Sequence, residues 1–304
     1  MERRVFVQKT LLAGASVMAA GMAKAENKEM ANAEKPFNLN YGIHDGMFKN
    51  NGGADFIDQI KYAYDMGFRA IEDNGMTGRP EDQQKKIGDT LAKLGMTMGV
   101  FVLNKGGNGE NTLTAGKKEF IDIFIKGCKQ AVEVAKRVNA KWTTVVPGDF
   151  SRHLTMGLQT SNVIDALRRG VEILEPQGLV MVLEPLSDTP DLYLRFSDQT
   201  YEICKAIKSP SCKILFDMYH MQRNEGNMIN NIDACWDEIA YFQIGDNPGR
   251  NEPTTGEVNY KNIFKHIHSK GYKGVLGMEH GNSVKGKEGE AVLVKAYRES
   301  DSFL

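Results

Sequence analysis

Leu179-Val180-Met181-Val182-Leu183-Glu184 is the segment from which the fold can be predicted, because a short apolar run ends there on a carboxylate. The same event recurs three times further along the chain. The runs Ile214-Leu215-Phe216, Ile239-Ala240-Tyr241-Phe242 and Val275-Leu276-Gly277-Met278 end on Asp217, Gln243 and Glu279. These polar residues are about 26 to 36 positions apart, close to the roughly 30 residues of one strand-plus-helix unit in a (β/α)8 barrel. The pattern therefore predicts four consecutive parallel strands whose polar ends meet in one mouth.

Strand-like and helix-like segments also alternate in the first half of the chain. Four more strands are predicted at 38–43, 68–72, 96–103 and 141–146, with amphipathic helices between them. Strict alternation over eight units predicts an α/β protein with a (β/α)8 TIM barrel fold. An open doubly wound sheet is the competing arrangement. Its first strand normally leads into a Gly-rich phosphate-binding turn, whereas Ile43-His44-Asp45-Gly46-Met47 follows here.

The N-terminal residues have the features of a bacterial export signal. Arg3-Arg4 precedes an apolar stretch, and Ala23-Lys24-Ala25 fits the small-x-small pattern of a cleavage site. We therefore predict a twin-arginine signal peptide at 1–25, a flexible leader at 26–35 and one barrel domain at 36–304. The protein is expected in the periplasm or otherwise outside the cytoplasm. The apolar stretch is too short for a stable membrane span, and none is predicted in the mature form.

If the protein is exported, its cysteines lie in an oxidising compartment. Buried free thiols are the favoured interpretation for all four, although Cys204 and Cys212 bracket a predicted turn, so a bond between them stays open.

The balance of charged residues indicates which kinds of molecule the protein binds. With 38 basic and 39 acidic residues the net charge is −1, which argues against a nucleic-acid partner. With only six histidines, a phosphodiesterase with a His-rich three-metal site is also disfavoured. A small-molecule substrate is the expected partner, which the resemblance described below implies to be a carbohydrate or a keto acid, and homo-oligomer formation is left open.

The strand-end residues Glu184, Asp217, Gln243 and Glu279 are predicted to hold one divalent metal ion. A single acid at a strand end is usually a helix cap or a salt-bridge partner, but four polar ends in register are harder to explain that way, and the three carboxylates among them would repel without a cation or proton between them. Carboxylate and amide oxygens are hard ligands. They favour Mn²⁺ or Mg²⁺, with Co²⁺ and Zn²⁺ as alternatives.

The residues around these positions resemble a known family. Leu183-Glu184-Pro185-Leu186, Asp217-Met218-Tyr219-His220 and the block from Gln243 to Tyr260 are similar to hydroxypyruvate isomerase, and so is the early Asn104. That family is part of the xylose isomerase-like TIM barrel superfamily of sugar isomerases and epimerases, which also contains endonuclease IV. The resemblance is densest from Val180 to His280.

The resemblance implies a metal-dependent isomerase or epimerase that moves a proton next to a carbonyl through an enediolate. It implies that Glu184 and Glu279 are both metal ligands and acid/base groups, and that His220 and Arg250 contact substrate oxygens. Many members have a histidine where this chain has Gln243. His44, Asn104 and Glu257 complete the predicted substrate-binding set.

Two alternatives to this function remain. Export favours an extracellular carbohydrate as the substrate. If that substrate is a 3-keto-glycoside, the same enolising site would make the protein a lyase or hydrolase. A non-catalytic sugar-binding barrel would keep the pocket but lose the proton-transfer acids. Glu184 and Glu279 are both present, which disfavours that second alternative.

Overall fold

A computed structural model describes residues 33–107 and 112–304 of the chain. The predicted signal peptide (1–25) and most of the predicted leader (26–35) lie outside these residues. The described end of the leader contacts the barrel: the Glu34 amide donates to the Asp65 carbonyl at 2.8 Å, and Arg298 donates to the Lys35 carbonyl at 2.7 Å.

The described residues form eight strands and nine α-helices in alternating order, which confirms the predicted (β/α)8 barrel. The strands are β1 Asn40–Ile43, β2 Ala70–Ile71, β3 Thr97–Met98, β4 Trp142–Val145, β5 Val180–Leu183, β6 Cys212–Asp217, β7 Ile239–Gln243 and β8 Val275–Gly277. The helices are α1 Phe56–Asp65, α2 Glu81–Leu94, α3 Lys118–Val138, α4 Met156–Leu174, α5 Ser197–Ile207, α6 Met218–Asn224, α7 Met228–Cys235, α8 Tyr260–Ser269 and α9 Gly286–Ser300.

All strand pairs are parallel, in the order β3-β2-β1-β8-β7-β6-β5-β4. The two ends of this order meet where the segment after β3 reaches β4. There the Thr144 amide donates to Phe101 at 2.8 Å, and the Leu103 amide donates to Thr144 at 3.1 Å. The predicted third strand (96–103) is therefore shorter in the structure, because its second half contacts β4 only through an isolated bridge.

The helices cover the outside of the sheet with one apolar face each. In α3, Phe124, Cys128, Val132 and Ala135 lie three or four residues apart and are buried. The helix ends at Asn139, whose φ of 53° is left-handed, a conformation that asparagine tolerates.

Two further features bear on the sequence-based expectations. No helix among residues 33–107 and 112–304 combines the length and apolar character that a membrane span needs. The four cysteines lie within those residues, and each is a buried free thiol.

The inside of the barrel is a separate, small apolar cluster. Its members come from alternate positions of six strand segments: Ala70, Val100, Val182, Leu215, Tyr241 and Val275. Their sequence neighbours on the strands, such as Met181 and Phe242, belong to the larger core under the helices. Because side chains alternate along a strand, the residue two positions further on faces the same interior. This alternation directs Glu184, Asp217 and Gln243 into the barrel mouth.

Candidate active site at the carboxyl end of the barrel

Glu184, Asp217 and Glu279 come together in the mouth, and we refer to these three residues as the acid cluster. Glu184 is 7% exposed and Asp217 is fully buried. His220 joins them, since its Nε2 lies 3.4 Å from Asp217 Oδ2 and 4.0 Å from Glu184 Oε1. Oxygens of Glu184 and Asp217 and a ring nitrogen of His220 lie within 4.8 Å of one another, a spacing that a single metal ion can span.

Arg250 places a positive charge directly against this cluster. Its Nη2 donates to Glu279 Oε2 at 2.9 Å and to Asp217 Oδ2 at 3.2 Å, and its Nε donates to the Glu279 carbonyl at 3.1 Å. The guanidinium also lies 4.7 Å from the centre of the Tyr219 ring. Arg250 is therefore held on three sides, and two of its contacts are with predicted metal ligands.

One guanidinium does not compensate the whole acid cluster. Burial, reinforced by Glu279 and Asp217, raises the pKa of Glu184 well above its ordinary value, and Arg250 opposes that rise. Burial and then Asp217 raise the pKa of Glu279 to about 7, against Arg250 and a hydrogen bond from Asn74. Close carboxylates in a low-dielectric site hold protons tightly unless more positive charge is supplied. The cluster can therefore accept a cation, a proton or both.

The hydrogen bonds of His220 hold both of its ring nitrogens. The backbone amide of Ser187 donates to Nδ1 at 3.2 Å, and the Ser187 hydroxyl lies 2.8 Å from the same atom. Arg250 Nη2, which can only donate, lies 3.3 Å from Nε2. Burial, helped by Arg250 and opposed by Asp217, lowers the pKa of His220 and favours the neutral ring. His220 therefore presents a neutral ring nitrogen to the mouth, next to Asp217 and Arg250.

Gln243 offers a buried acceptor oxygen to the mouth. Its side chain is 1% exposed, and Nε2 lies 3.3 and 3.5 Å from the two carboxylate oxygens of Glu72. Its Oε1 is buried and has no hydrogen-bond partner among the residues that the structure describes. A buried, unsatisfied carbonyl oxygen is costly in an apolar interior. Gln243 pairs in register with Asp217 of β6, and a carbonyl oxygen of this kind fits the donor set of a divalent ion.

The other predicted substrate-binding residues are not equivalent. Asn104 lines the same cavity of about 320 Å³ as Glu184, His220, Arg250 and Glu279. His44 lines an adjoining cavity of about 280 Å³, where its ring nitrogens lie 2.9 Å from the carbonyls of Asp45 and His280. Glu257 is exposed and accepts a hydrogen bond from Gln222 at 3.2 Å, and it lines neither cavity.

Three residues that sequence reasoning missed also belong to the mouth. Glu72 ends the predicted second strand and follows the same alternation as Glu184, but its apolar run is short and interrupted by Arg69. Asn74 donates to Glu279 Oε1 at 2.7 Å, across 205 residues of sequence. Lys105 lines the larger cavity and donates to the Gly107 carbonyl, and burial lowers its pKa to about 8. Only the strand-end position of Glu72 gave a signal in the sequence.

The family model of xylose isomerase-like TIM barrels matches residues 60–299. Hydroxypyruvate isomerase of Escherichia coli strain K12 is 28% identical over 235 residues, which cover 75% of this chain and 89% of that protein. A putative hydroxypyruvate isomerase of Xenopus laevis is 31% identical over 252 residues, covering 76% and 88%. These matches confirm the resemblance seen in the sequence.

Solved structures support the same fold. The AP endonuclease family 2 protein from Brucella melitensis superimposes with a TM-score of 0.73 at 21% identity, covering 84% of this chain and 98% of that one. At this identity the superposition is evidence for the barrel and not for a shared reaction.

Proposed function

The chain belongs to the xylose isomerase-like TIM barrel family, and we propose that it is a divalent-metal-dependent isomerase or epimerase of a small sugar or hydroxy-keto acid. The observation that carries this proposal is the acid cluster, with Glu184 and Asp217 buried, together with the buried Oε1 of Gln243, which has no partner among the described residues. The sequence relatives, named hydroxypyruvate isomerases, support the same reaction class.

Glu184, Asp217, Gln243 and Glu279 would hold the ion through oxygen atoms. When bound, a divalent ion would polarise a substrate carbonyl and favour loss of a proton from the neighbouring carbon. Four oxygen donors suit Mn²⁺ or Mg²⁺ by ligand type, and Zn²⁺ or Co²⁺ would enter the same site with less preference.

The side chains of the chain divide the remaining work. Glu184 and Glu279 come from β5 and from the segment after β8, so two carboxyl groups are available to remove and return the proton. The pKa of Glu279, raised to about 7, suits a group that exchanges protons near neutral pH. His220 would contact the reacting oxygen through its ring, and Arg250 would orient a hydroxyl or a carboxylate of the substrate.

A direct test measures bound metal first and proton transfer second. The purified protein is expected to contain about one divalent ion per chain by elemental analysis, and chelation should abolish turnover. Hydroxypyruvate, 2-oxo-tetronate and keto-sugars are then incubated with enzyme in D₂O, and deuterium at the carbon next to the carbonyl is read by NMR. Activity should return best with Mn²⁺. Full activity after verified metal removal would exclude the metal-assisted reaction, and recovery with Zn²⁺ alone would overturn the ligand-type argument.

A second candidate is a lyase or hydrolase of 3-keto-glycosides. The observation that favours it is the cavity beside His44, which shares Asn74 and Glu279 with the larger cavity. Together the two spaces exceed what a three-carbon acid fills and have room for a sugar with an attached group. Release of an aglycone or second sugar from a 3-keto-glucoside, without isomerisation of hydroxypyruvate, would select this candidate.

We also propose that the protein is exported, on the sequence of residues 1–25 alone. Replacing Arg3 and Arg4 with lysines should leave precursor in the cytoplasm, because the twin-arginine route reads the arginine pair. Normal export of the lysine variant in a cell fractionation experiment would contradict the proposal.

A further inference from the structure

A buried polar group lies on the inner side of the barrel, below the acid cluster, and consists of Glu72, Tyr241 and Gln243. Glu72 and Gln243 are each 1% exposed and Tyr241 is fully buried. Tyr241 Oη donates to Glu72 Oε2 at 3.2 Å, and Gln243 Nε2 donates to the same oxygen at 3.3 Å. The two donors come from one strand, β7. They converge on an acid that directly follows β2 and precedes them in the sequence by 169 and 171 residues.

The neighbouring strands lack side chains where this group lies. A Cβ at Gly277 on β8 would come within 1.7 Å of Glu72 Oε2, and a Cβ at Gly99 would come within 2.2 Å of Tyr241 Oη. Neither approach is sterically allowed, so both positions must be glycine for Glu72 and Tyr241 to meet. The space for Glu72 is therefore a built feature of the barrel.

The strand register shows which way the Gln243 amide is turned. Gln243 pairs with Asp217 of β6 on one side and with Gly277 of β8 on the other. Glu72 reaches Gln243 over Gly277, so Nε2 is on the β8 side. The two ends of an amide diverge, and Oε1 is therefore left on the side of Asp217. Within residues 33–107 and 112–304 this oxygen has no hydrogen-bond partner.

We propose that Glu72 is a positioning residue that holds the Gln243 amide with its oxygen toward the acid cluster. An amide can rotate by 180° with little change of shape, and a cation would be repelled by the NH₂ end. Glu72 accepts from Nε2 and so selects the orientation that presents Oε1. Groups behind a ligand commonly set its orientation and the affinity of the metal site in this way. The inference rests on the metal-dependent function proposed above.

The test measures Mn²⁺ affinity by calorimetry on metal-free protein, independently of activity. Glu72→Gln keeps the shape of the side chain but adds an NH₂ that can donate to Gln243 Oε1, so the amide is free to turn. We expect Mn²⁺ affinity to fall by about 10-fold or more. The matched control is Tyr241→Phe, which removes a hydroxyl from the same group but leaves the bond between Gln243 and Glu72. It should lower the melting temperature with a much smaller loss of affinity.

A swap variant gives a result that a merely structural role would not produce. The double variant Glu72→Gln with Gln243→Glu exchanges the two side chains. The new amide at position 72 donates to the new carboxylate at position 243, so an oxygen again faces the acid cluster. The total charge is unchanged. Mn²⁺ affinity should return to the wild-type value or exceed it. This variant is also measured alone if Glu72→Gln does not fold. If Glu72→Gln binds Mn²⁺ as tightly as wild type, or if the double variant does not regain Mn²⁺ affinity, the role of Glu72 is overturned but the metal site is not. Wild-type protein that binds no Mn²⁺ overturns the metal site and this role together.

Discussion

Acids follow strands in both halves of the barrel mouth, and, apart from the Glu72 described above, their charges are compensated differently in the two halves. In the first half, Asp45 and Asp73 follow β1 and β2, and both form salt bridges with Arg79. In the second half, Arg250 contacts Asp217 and Glu279, while Glu184 receives no direct salt bridge from it among the described residues.

This difference separates structural acids from functional ones. Two acids paired with one nearby arginine stabilise a loop, and their charges need no bound cation. Buried carboxylates that share too little positive charge have raised pKa values, as Glu184 and Glu279 do, and such groups concentrate at functional sites. The position of an acid at a strand end is therefore not sufficient evidence of function, and its counter-charges have to be known.

The largest expected effect follows from neutralising acids in each half. Glu184→Gln and Glu279→Gln should each reduce kcat by about 10²-fold or more, because both remove a proton-transfer group while keeping its size. Asp73→Asn is the matched control in the first half and should retain activity. Steady-state kinetics on the substrate identified above makes the measurement, with circular dichroism to confirm folding. Comparable losses in Asp73→Asn would abolish the distinction between the halves.

Replacing Arg250 or Arg79 should have smaller effects, and the two replacements should change different properties of the protein. Arg250→Met should lower kcat/KM by roughly 10- to 100-fold, the loss expected for one or two charged hydrogen bonds to substrate. Arg79→Met should instead destabilise the fold by about 1–3 kcal/mol, since it leaves Asp73 buried without its partner. Denaturant unfolding and kinetics on both variants give the comparison. If Arg79→Met loses activity without losing stability, the first half also takes part in the reaction.

The smallest expected effect is a pH dependence of stability in metal-free protein. The folded-state pKa of Glu279 is raised from 4.5 to about 7, so the folded protein holds this proton more tightly than the unfolded chain. The resulting stabilisation is complete below about pH 4.5 and is lost as the pH rises through about 7. Glu279→Gln cannot titrate. The melting temperature of wild type should therefore fall relative to this variant between pH 5 and 8.

Added Mn²⁺ should reverse that order at pH 8, because the ionised carboxylate is then a ligand. The expectation is wrong if the melting temperatures of the two metal-free proteins change with pH in the same way and Mn²⁺ does not reverse their order. The charge of Glu279 would then already be compensated, as the charges of Asp45 and Asp73 are.

Some of the site could be predicted because the signals are local. An apolar run ending on Glu184 is visible within six residues, and its repetition along the chain predicts the order of strands. The short helix α6 was not predicted, although Asp217 caps it by accepting from the Tyr219 amide at 2.8 Å. Its seven residues are too few to show a clear helical period, yet they carry His220 into the mouth.

The amino-acid sequence by itself determined the (β/α)8 architecture and the strand ends that carry Glu184, Asp217, Gln243 and Glu279, because strand alternation and apolar periodicity operate over a few residues. The tertiary structure alone decided which groups contact the ring of His220, which oxygens Arg250 contacts and which way the Gln243 amide is turned. Each of these depends on a partner that is distant in sequence, such as Glu72, 171 residues before Gln243. Contacts of that kind exist only after the barrel has closed, and no local pattern encodes them.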